Sequence, residues 1–249
     1  MRLLTEVHGP VAVWTMNRPA KRNAFDGGMT AALDTALNDF EDDDNLRVGI
    51  LTGGKTVFSA GTDLLSWAGE PTTRGGAYGI AGRTLSKPVI AAVEGAAVGG
   101  GFEIALAASL IVASVSAQFS LPEVGLGLVA ECGGLFRSPR ALPLNVAREM
   151  LLTGAPLSAE RAHTLGLVNR VSDPGHALDA AMQLAQRIVT LAPLAVRETL
   201  RATTVWAASG DDCGWEATNS AKQITRASYD STEGVAAFME RRTPQWRGR

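Results

Sequence analysis

Three glutamates stand among apolar residues: Glu103, Glu123 and Glu131. A carboxylate in such surroundings is costly unless it is used or paired, so each is a candidate for proton-transfer work. Glu103 follows Gly95-Ala96-Ala97-Val98-Gly99-Gly100-Gly101-Phe102 and falls in the first turn of a nearly all-apolar helix expected over Phe102–Ala108. A dipole-favoured surface glutamate would also sit there, but the apolar helix argues for burial. Glu123 lies in Leu121-Pro122-Glu123-Val124, where Pro122 restricts the backbone; a loop glutamate held by nearby amides is the plainer reading. Glu131 precedes Cys132-Gly133-Gly134 and is either a third acid or the cap of a helix that starts there. The glycines offer a second kind of chemistry. Gly99-Gly100-Gly101 lets a ligand approach the backbone and leaves amides free at a helix start. Phe58-Ser59-Ala60-Gly61-Thr62-Asp63-Leu64 is a turn into a helical run whose outward amides could hold a negative oxygen, or an ordinary capped helix start.

Other chemistries are excluded. Gly49-Ile50-Leu51-Thr52-Gly53-Gly54-Lys55-Thr56 matches a P-loop formally, but its first residues belong to a strand and no helix opens at the lysine. There is no dinucleotide fingerprint and no serine-hydrolase elbow. His8, His163 and His176 have no ligand-like spacing, so no metal is expected. A net charge of −2 offers no basic field for nucleic acid. Cys132 and Cys213 read as free thiols in a reducing compartment. The N-terminus has no signal-like apolar segment and no run reaches membrane-spanning length, so a cytoplasmic protein is expected.

The elements that must position these residues follow from periodicity. Val11–Met16, Val48–Thr52 and Pro88–Val93 read as strands, the last apolar on both faces and therefore a buried parallel strand. Met29 to Phe40 has helical spacing. Leu110–Ala113 and Gln118–Ser120 are further strands. The Gly/Thr-rich stretch 66–83 reads as a mobile loop or marginal helix over a pocket. The acidic run 41–44 reads as a solvated helix end. Ser158 is a candidate N-cap, Gly166–Val171 a lone strand, and Ala177–Thr190, Leu194–Ala208 and Trp215–Ser228 are helices. With 249 residues, 46% of them hydrophobic, there is ample core for an α/β unit over 1–190 followed by a helical region over 191–249.

Asn17-Arg18-Pro19 with Lys21-Arg22-Asn23-Ala24, then FSAGTDL, KPVIAAVEGAAVGGGFEIALA and LPEVGLGL, resemble the enoyl-CoA hydratase/isomerase (crotonase) family in this order. LLTGAPLSAERAHTLGLVNRV and EGVAAFMERRTP are similar to it too, so the resemblance runs from about Val11 to Arg242. It implies a crotonase-like α/β spiral of ββα units with a helical C-terminal trimerisation region, assembled as trimers or hexamers. It implies acyl-CoA substrates, with coenzyme A part of the substrate and no separate cofactor. The family's oxyanion-hole amides match Thr62 and Gly100. Residues around the bound substrate and CoA match Arg22, Ala24, Ala60, Thr62, Asp63, Leu64 and Gly100; Arg241 or Arg242 would reach the CoA of a neighbouring subunit. The two catalytic acids of the hydratases match Glu103, which would deprotonate water, and Glu123, which would protonate the α-carbon.

One place departs from the hydratase pattern. Where hydratases read Pro-Gly-x-Gly-Gly, this chain reads Ala130-Glu131-Cys132-Gly133-Gly134, followed by Leu135-Phe136-Arg137 in place of Thr-Gln-Arg. An acid there resembles the dienoyl-CoA isomerases and the carnitinyl-CoA dehydratase-like members. The expected activity is therefore hydration or dehydration of an enoyl-CoA, with double-bond isomerisation through Glu131 as the alternative. A non-catalytic acyl-CoA-binding protein stands further off.

Overall fold

The structure is a computed structural model that describes residues 1–126, 128–208, 224 and 227–249. Its centre is a six-stranded sheet. Strands β1 (Leu3–His8) and β2 (Val11–Met16) form an antiparallel hairpin. Strands β3 (Val48–Thr52), β4 (Val89–Val93), β6 (Leu110–Ser114) and β9 (Arg170–Ser172) then continue in parallel, in the order β1-β2-β3-β4-β6-β9. All five residues of β3 and of β4 are buried, as parallel strands covered on both faces require. On one face lies helix α1 (Gly27–Asp42), which sends Met29, Leu33, Leu37 and Phe40 into the main core beside Trp14. On the other face α6 (Ala177–Val189) packs Ala181 and Ala185 against Val13, Ile50, Ile90 and Val112.

A smaller sheet decides the site. Strands β5 (Ala96–Val98), β7 (Gln118–Ser120) and β8 (Leu157–Ser158) pair in that order, β5 parallel to β7. The chain climbs as ββα units. Strand β4 joins the large sheet, β5 the small one, and helix α2 (Gly100–Ala107) follows. Strand β6 joins the large sheet, β7 the small one, and a 3-10 turn over Glu123–Leu126 follows. One turn earlier, Ser59 makes a parallel bridge to Ala97. Successive turns of the spiral therefore stack in register: Ser59 on Ala97, and Ala97 on Phe119.

Several sequence expectations are refined by the structure. Helix α2 starts at Gly100, two residues before Phe102, because the glycines themselves take helical conformation. Strands β1 and β5, the latter hidden inside the glycine-rich segment, were not foreseen; helix α3 (Gly134–Ala141) does start after Glu131-Cys132-Gly133, and α4 (Leu144–Thr153) stands where the pattern turns helical from about 145. The lone late strand is shorter and later than Gly166–Val171: it is β9, after a turn at 165–167. The stretch 66–83 is neither a plain loop nor a helix but a chain of turns with a 3-10 segment at Ala77–Gly79. Ser158 does cap α5 (Ala159–Thr164), accepting from Arg161 N. The acidic run 41–44 is more than a solvated helix end. Glu41 accepts from Ser86, and the buried Lys87 ammonium closes the end of α1 by donating to Phe40 O (2.7 Å) and Asp43 O (2.8 Å). Helix α7 (Pro193–Ala208) and helix α8 (Tyr229–Glu240) lie in the C-terminal region. Most of the helix expected over Trp215–Ser228, and Cys213, lie outside the described residues.

Candidate active site

The stacking register explains which residues meet. Thr62 lies three residues past Ser59 and Gly100 three past Ala97, so the two occupy equivalent places on adjacent turns. Phe25 N donates to Gly61 O and Asp63 N donates to Phe25 O, both at 2.8 Å. That ladder uses the groups on either side of Thr62 and turns the Thr62 N–H the other way. Gly100 N belongs to the first residue of α2, where an amide has no partner inside the helix. Among the described residues, neither Thr62 N nor Gly100 N donates to a protein acceptor. The close approach needs glycine at 61. Its φ is +83°, and a Cβ there would stand 2.7 Å from Val98 O and 2.9 Å from Gly100 N.

These amides face a cleft of about 390 Å³. Ala60, Thr62, Leu64, Gly100, Glu103, Glu123 and Glu131 line it together. The twenty-residue spacing of Glu103 and Glu123 approximates one turn of the spiral, since Val98 pairs with Ser120. Glu103 sits five residues past the end of β5 and Glu123 three past the end of β7. Arg22, Ala24 and Asp63 are not on the cleft wall. Asp63 binds Arg18 at 3.0 Å and accepts from Leu65 N, and the Arg18 guanidinium, its largest influence, lowers its pKa. Arg22 O receives Ala60 N at 2.9 Å, and Ala24 O accepts from Arg18, so the backbone of this segment supports residues 60–63 while the Arg22 side chain stays exposed. Arg242 is held by Glu233 at 2.6 Å within the same chain.

The two acids are held differently. Glu103 is 2% exposed. Its Oε1 accepts from Cys132 N at 2.7 Å and Gly134 N at 2.9 Å, the orphan amides that open α3. The N-cap residue of α3 is Gly133, which has no side chain to offer. Glu103 supplies the missing acceptor across the cleft floor, so Glu131 does not cap this helix. Burial pushes the Glu103 pKa up, the Gly134 amide pulls it back, and the Glu123 charge pushes it up again. Burial also raises Glu123. Its Oε2 is fully buried without a hydrogen-bond partner among the described residues. An orphaned carboxyl oxygen on a cleft wall is a place for a proton or a polar ligand atom.

Sequence reasoning missed Tyr78, Trp67 and Cys132 on this wall. The 66–83 stretch was read as a cover over a pocket, and its aromatics were the available signal. Burial raises the Cys132 thiol to about 11.

A model of the enoyl-CoA hydratase/isomerase family matches residues 6–249. The chain belongs to that family. A relative from Salmonella enteritidis PT4 named carnitinyl-CoA dehydratase is 44% identical over 254 aligned residues, covering 97% of each chain. An enoyl-CoA hydratase structure from Mycobacterium tuberculosis H37Rv superposes with a TM-score of 0.94 at 44% identity, covering 100% of this chain and 99% of that one. A carnitinyl-CoA hydratase structure from Mycobacterium avium superposes at 0.79 with 36% identity, covering 100% and 99%. The spiral of ββα units expected from the sequence is thus the fold of the family. No helix among the described residues is long and apolar enough to cross a membrane.

Proposed function

We propose that this chain adds water reversibly across the 2,3 double bond of an acyl-CoA thioester, as a hydro-lyase. The observation that carries the reading is one cleft holding two unclaimed amides and two glutamates, the buried one anchored by two N–H groups and the half-buried one with an orphaned oxygen. The thioester oxygen sits between Thr62 N and Gly100 N. Water, held by Glu103, loses a proton to that carboxylate as its oxygen bonds C3. The electron pair of the double bond moves onto the thioester, and the developing enolate is stabilised by the two amides; one such donor is worth about 3–4 kcal/mol. Glu123 then gives its proton to C2. The assignment follows from the surroundings: hydrogen bonds donated to Glu103 favour its ionised form, whereas Glu123 Oε2 has none. Proton exchange with solvent resets the pair: a lone pair of the water oxygen makes the C3–O bond, the double-bond pair returns from the enolate to make the C2–H bond, and no oxidant or reductant is needed. The remaining features of the reading are CoA carried by the Arg22 and Ala24 segment and a homotrimeric or hexameric assembly in the cytoplasm.

The experiment is product mass spectrometry after incubation with crotonyl-CoA and a longer enoyl-CoA. A gain of one water, lost in Glu103→Gln, supports the reading; unchanged turnover in both Glu103→Gln and Glu123→Gln overturns it. A second reading is favoured by Glu131 on the cleft wall: proton movement further along the acyl chain, in a dienoyl-CoA isomerisation or the dehydration of a polar acyl group such as carnitinyl-CoA. It predicts loss of that activity in Glu131→Gln.

A further inference from the structure

Tyr78 stands where neither the family motifs nor the proton chemistry above gives it a task. Its φ is +56° and its ψ 8°, a left-handed conformation that an aromatic residue adopts only where its surroundings force it. The Gly75-Gly76-Ala77-Tyr78-Gly79 turns hold it there, with Gly79 N donating to Gly76 O and Ala81 N to Ala77 O. The ring is 5% exposed and meets Phe25 edge-on at 5.5 Å. The hydroxyl reaches the two oxyanion residues at once. Its oxygen is 2.8 Å from Thr62 Oγ1, and a Cβ on Gly100 would stand 2.2 Å from it. Gly100 is therefore glycine to admit this phenol as well as a ligand.

We infer that the Tyr78 hydroxyl is a third hydrogen-bond donor to the thioester oxygen, beside Thr62 N and Gly100 N. Each of the two hydroxyls has one proton and two lone pairs. If Thr62 Oγ1–H donates to Tyr78, the phenol proton is left for the cleft side, where the Cys132 thiol, which shares a side-chain hydrogen bond with Tyr78, gives way to the stronger acceptor once an oxyanion forms. Burial raises the Tyr78 pKa, so the phenol keeps its proton and remains a donor across the working pH range. Packing on Phe25 accounts for the ring but not for the oxygen, which an apolar wall would omit.

The inference rests on the enolate chemistry proposed above, so its test separates the two. Tyr78→Phe keeps the ring and removes the hydroxyl. Acetoacetyl-CoA is the probe, because its bound enolate absorbs in the ultraviolet and its apparent pKa reports how well the site stabilises an oxyanion. Tyr78→Phe is expected to raise that apparent pKa by about one unit or more. It should also cut kcat for enoyl-CoA hydration between tenfold and a thousandfold with KM within threefold, the signature of a donor that acts on developing charge. Should Tyr78→Phe fold poorly by circular dichroism, 3-fluorotyrosine at 78 replaces it. That stronger donor is expected to lower the bound enolate pKa. An enolate pKa and kcat unmoved by the substitution overturn the donor even if hydration is intact. A Tyr78-dependent enolate pKa in a protein that hydrates no enoyl-CoA keeps the donor and overturns the hydratase reading. Failure of the wild-type protein to bind acetoacetyl-CoA as an enolate overturns the donor, while the hydratase reading is decided by the product assay above.

Discussion

Glu103 does two things that ought to be separable, and Glu103→Gln against Glu103→Ala separates them. Its Oε1 is the acceptor for Cys132 N and Gly134 N, and so it holds the start of α3 as well as facing the cleft. Alanine removes that acceptor. A buried amide left unpaired costs about 1–3 kcal/mol; Gly134 N is buried and Cys132 N half-buried, so Glu103→Ala should lose roughly 2–5 kcal/mol, less whatever a water entering the space restores. For a chain of this length 1 kcal/mol corresponds to about 2–4 °C in Tm, so the fall should be roughly 5–20 °C. Glutamine keeps an oxygen for both amides. Its bonds are weaker than those to a carboxylate, but the buried charge is gone, and that charge is disfavoured, as the raised Glu103 pKa shows. A group whose folded pKa is raised contributes stability below its ordinary pKa and loses it as pH rises through the folded value. Above its folded pKa the wild type therefore carries the ionised Glu103 at a cost that glutamine does not. Glu103→Gln should melt within about 3 °C of the wild type at pH 7.5, and the comparison should turn in favour of the wild type as the pH falls. Turnover should drop by about 10²–10⁴ with either replacement, since both remove the base. Thermal unfolding by circular dichroism and hydration of crotonyl-CoA, on the same preparations, are the assays. A Glu103→Gln protein that melts as low as Glu103→Ala would refute the two-amide account. One that retains more than a tenth of wild-type turnover would refute the base assignment.

Other outcomes follow from the same geometry. Gly61→Ala places a methyl 2.7 Å from Val98 O and 2.9 Å from Gly100 N at a φ of +83°; kcat should fall by about 10²–10³ as the two amides are pushed apart, and wild-type kinetics would show that the turn relaxes without moving them. The pH profile of kcat/KM for hydration should be bell-shaped with both limbs above the ordinary glutamate range, because Glu103 and Glu123 are both raised: activity is lost on the acid side as the base is protonated and on the alkaline side as the acid ionises. A flat profile between pH 4 and 9 would contradict the pair. Glu131→Gln should leave crotonyl-CoA hydration within threefold, since Glu131 neither anchors α3 nor is one of the two acids of the hydration step; a hundredfold loss with that simple substrate would bring Glu131 into the hydration machinery itself.

How much of this was legible beforehand depends on the range of each interaction. Strands β2, β3 and β4 were readable because unbroken runs of buried apolar residues need no knowledge of distant partners. Strand β5 was not, because Ala96-Ala97-Val98 between glycines looks like turn and becomes strand only when Ser59 and Phe119 lie on either side of it. The same stacking turns two amides far apart in sequence into neighbours, which no local pattern at 62 or at 100 contains. The acids were identified by the mismatch between charge and apolar context. Their different roles came from the family resemblance and not from local pattern, because the physical difference between them is long-range: Cys132 N and Gly134 N reach Glu103, and nothing among the described residues reaches Glu123 Oε2. For Tyr78 the local signal was an aromatic in a glycine-rich stretch, which says that the chain must turn there. Only the register of the spiral says that the turn delivers a hydroxyl between Thr62 and Gly100. The site is therefore a property of the pitch of the coil. A one-residue insertion between Phe58 and Thr62 would leave the composition, the acids and the glycines intact, yet it would move Thr62 out of step with Gly100 and abolish the pocket for the oxyanion.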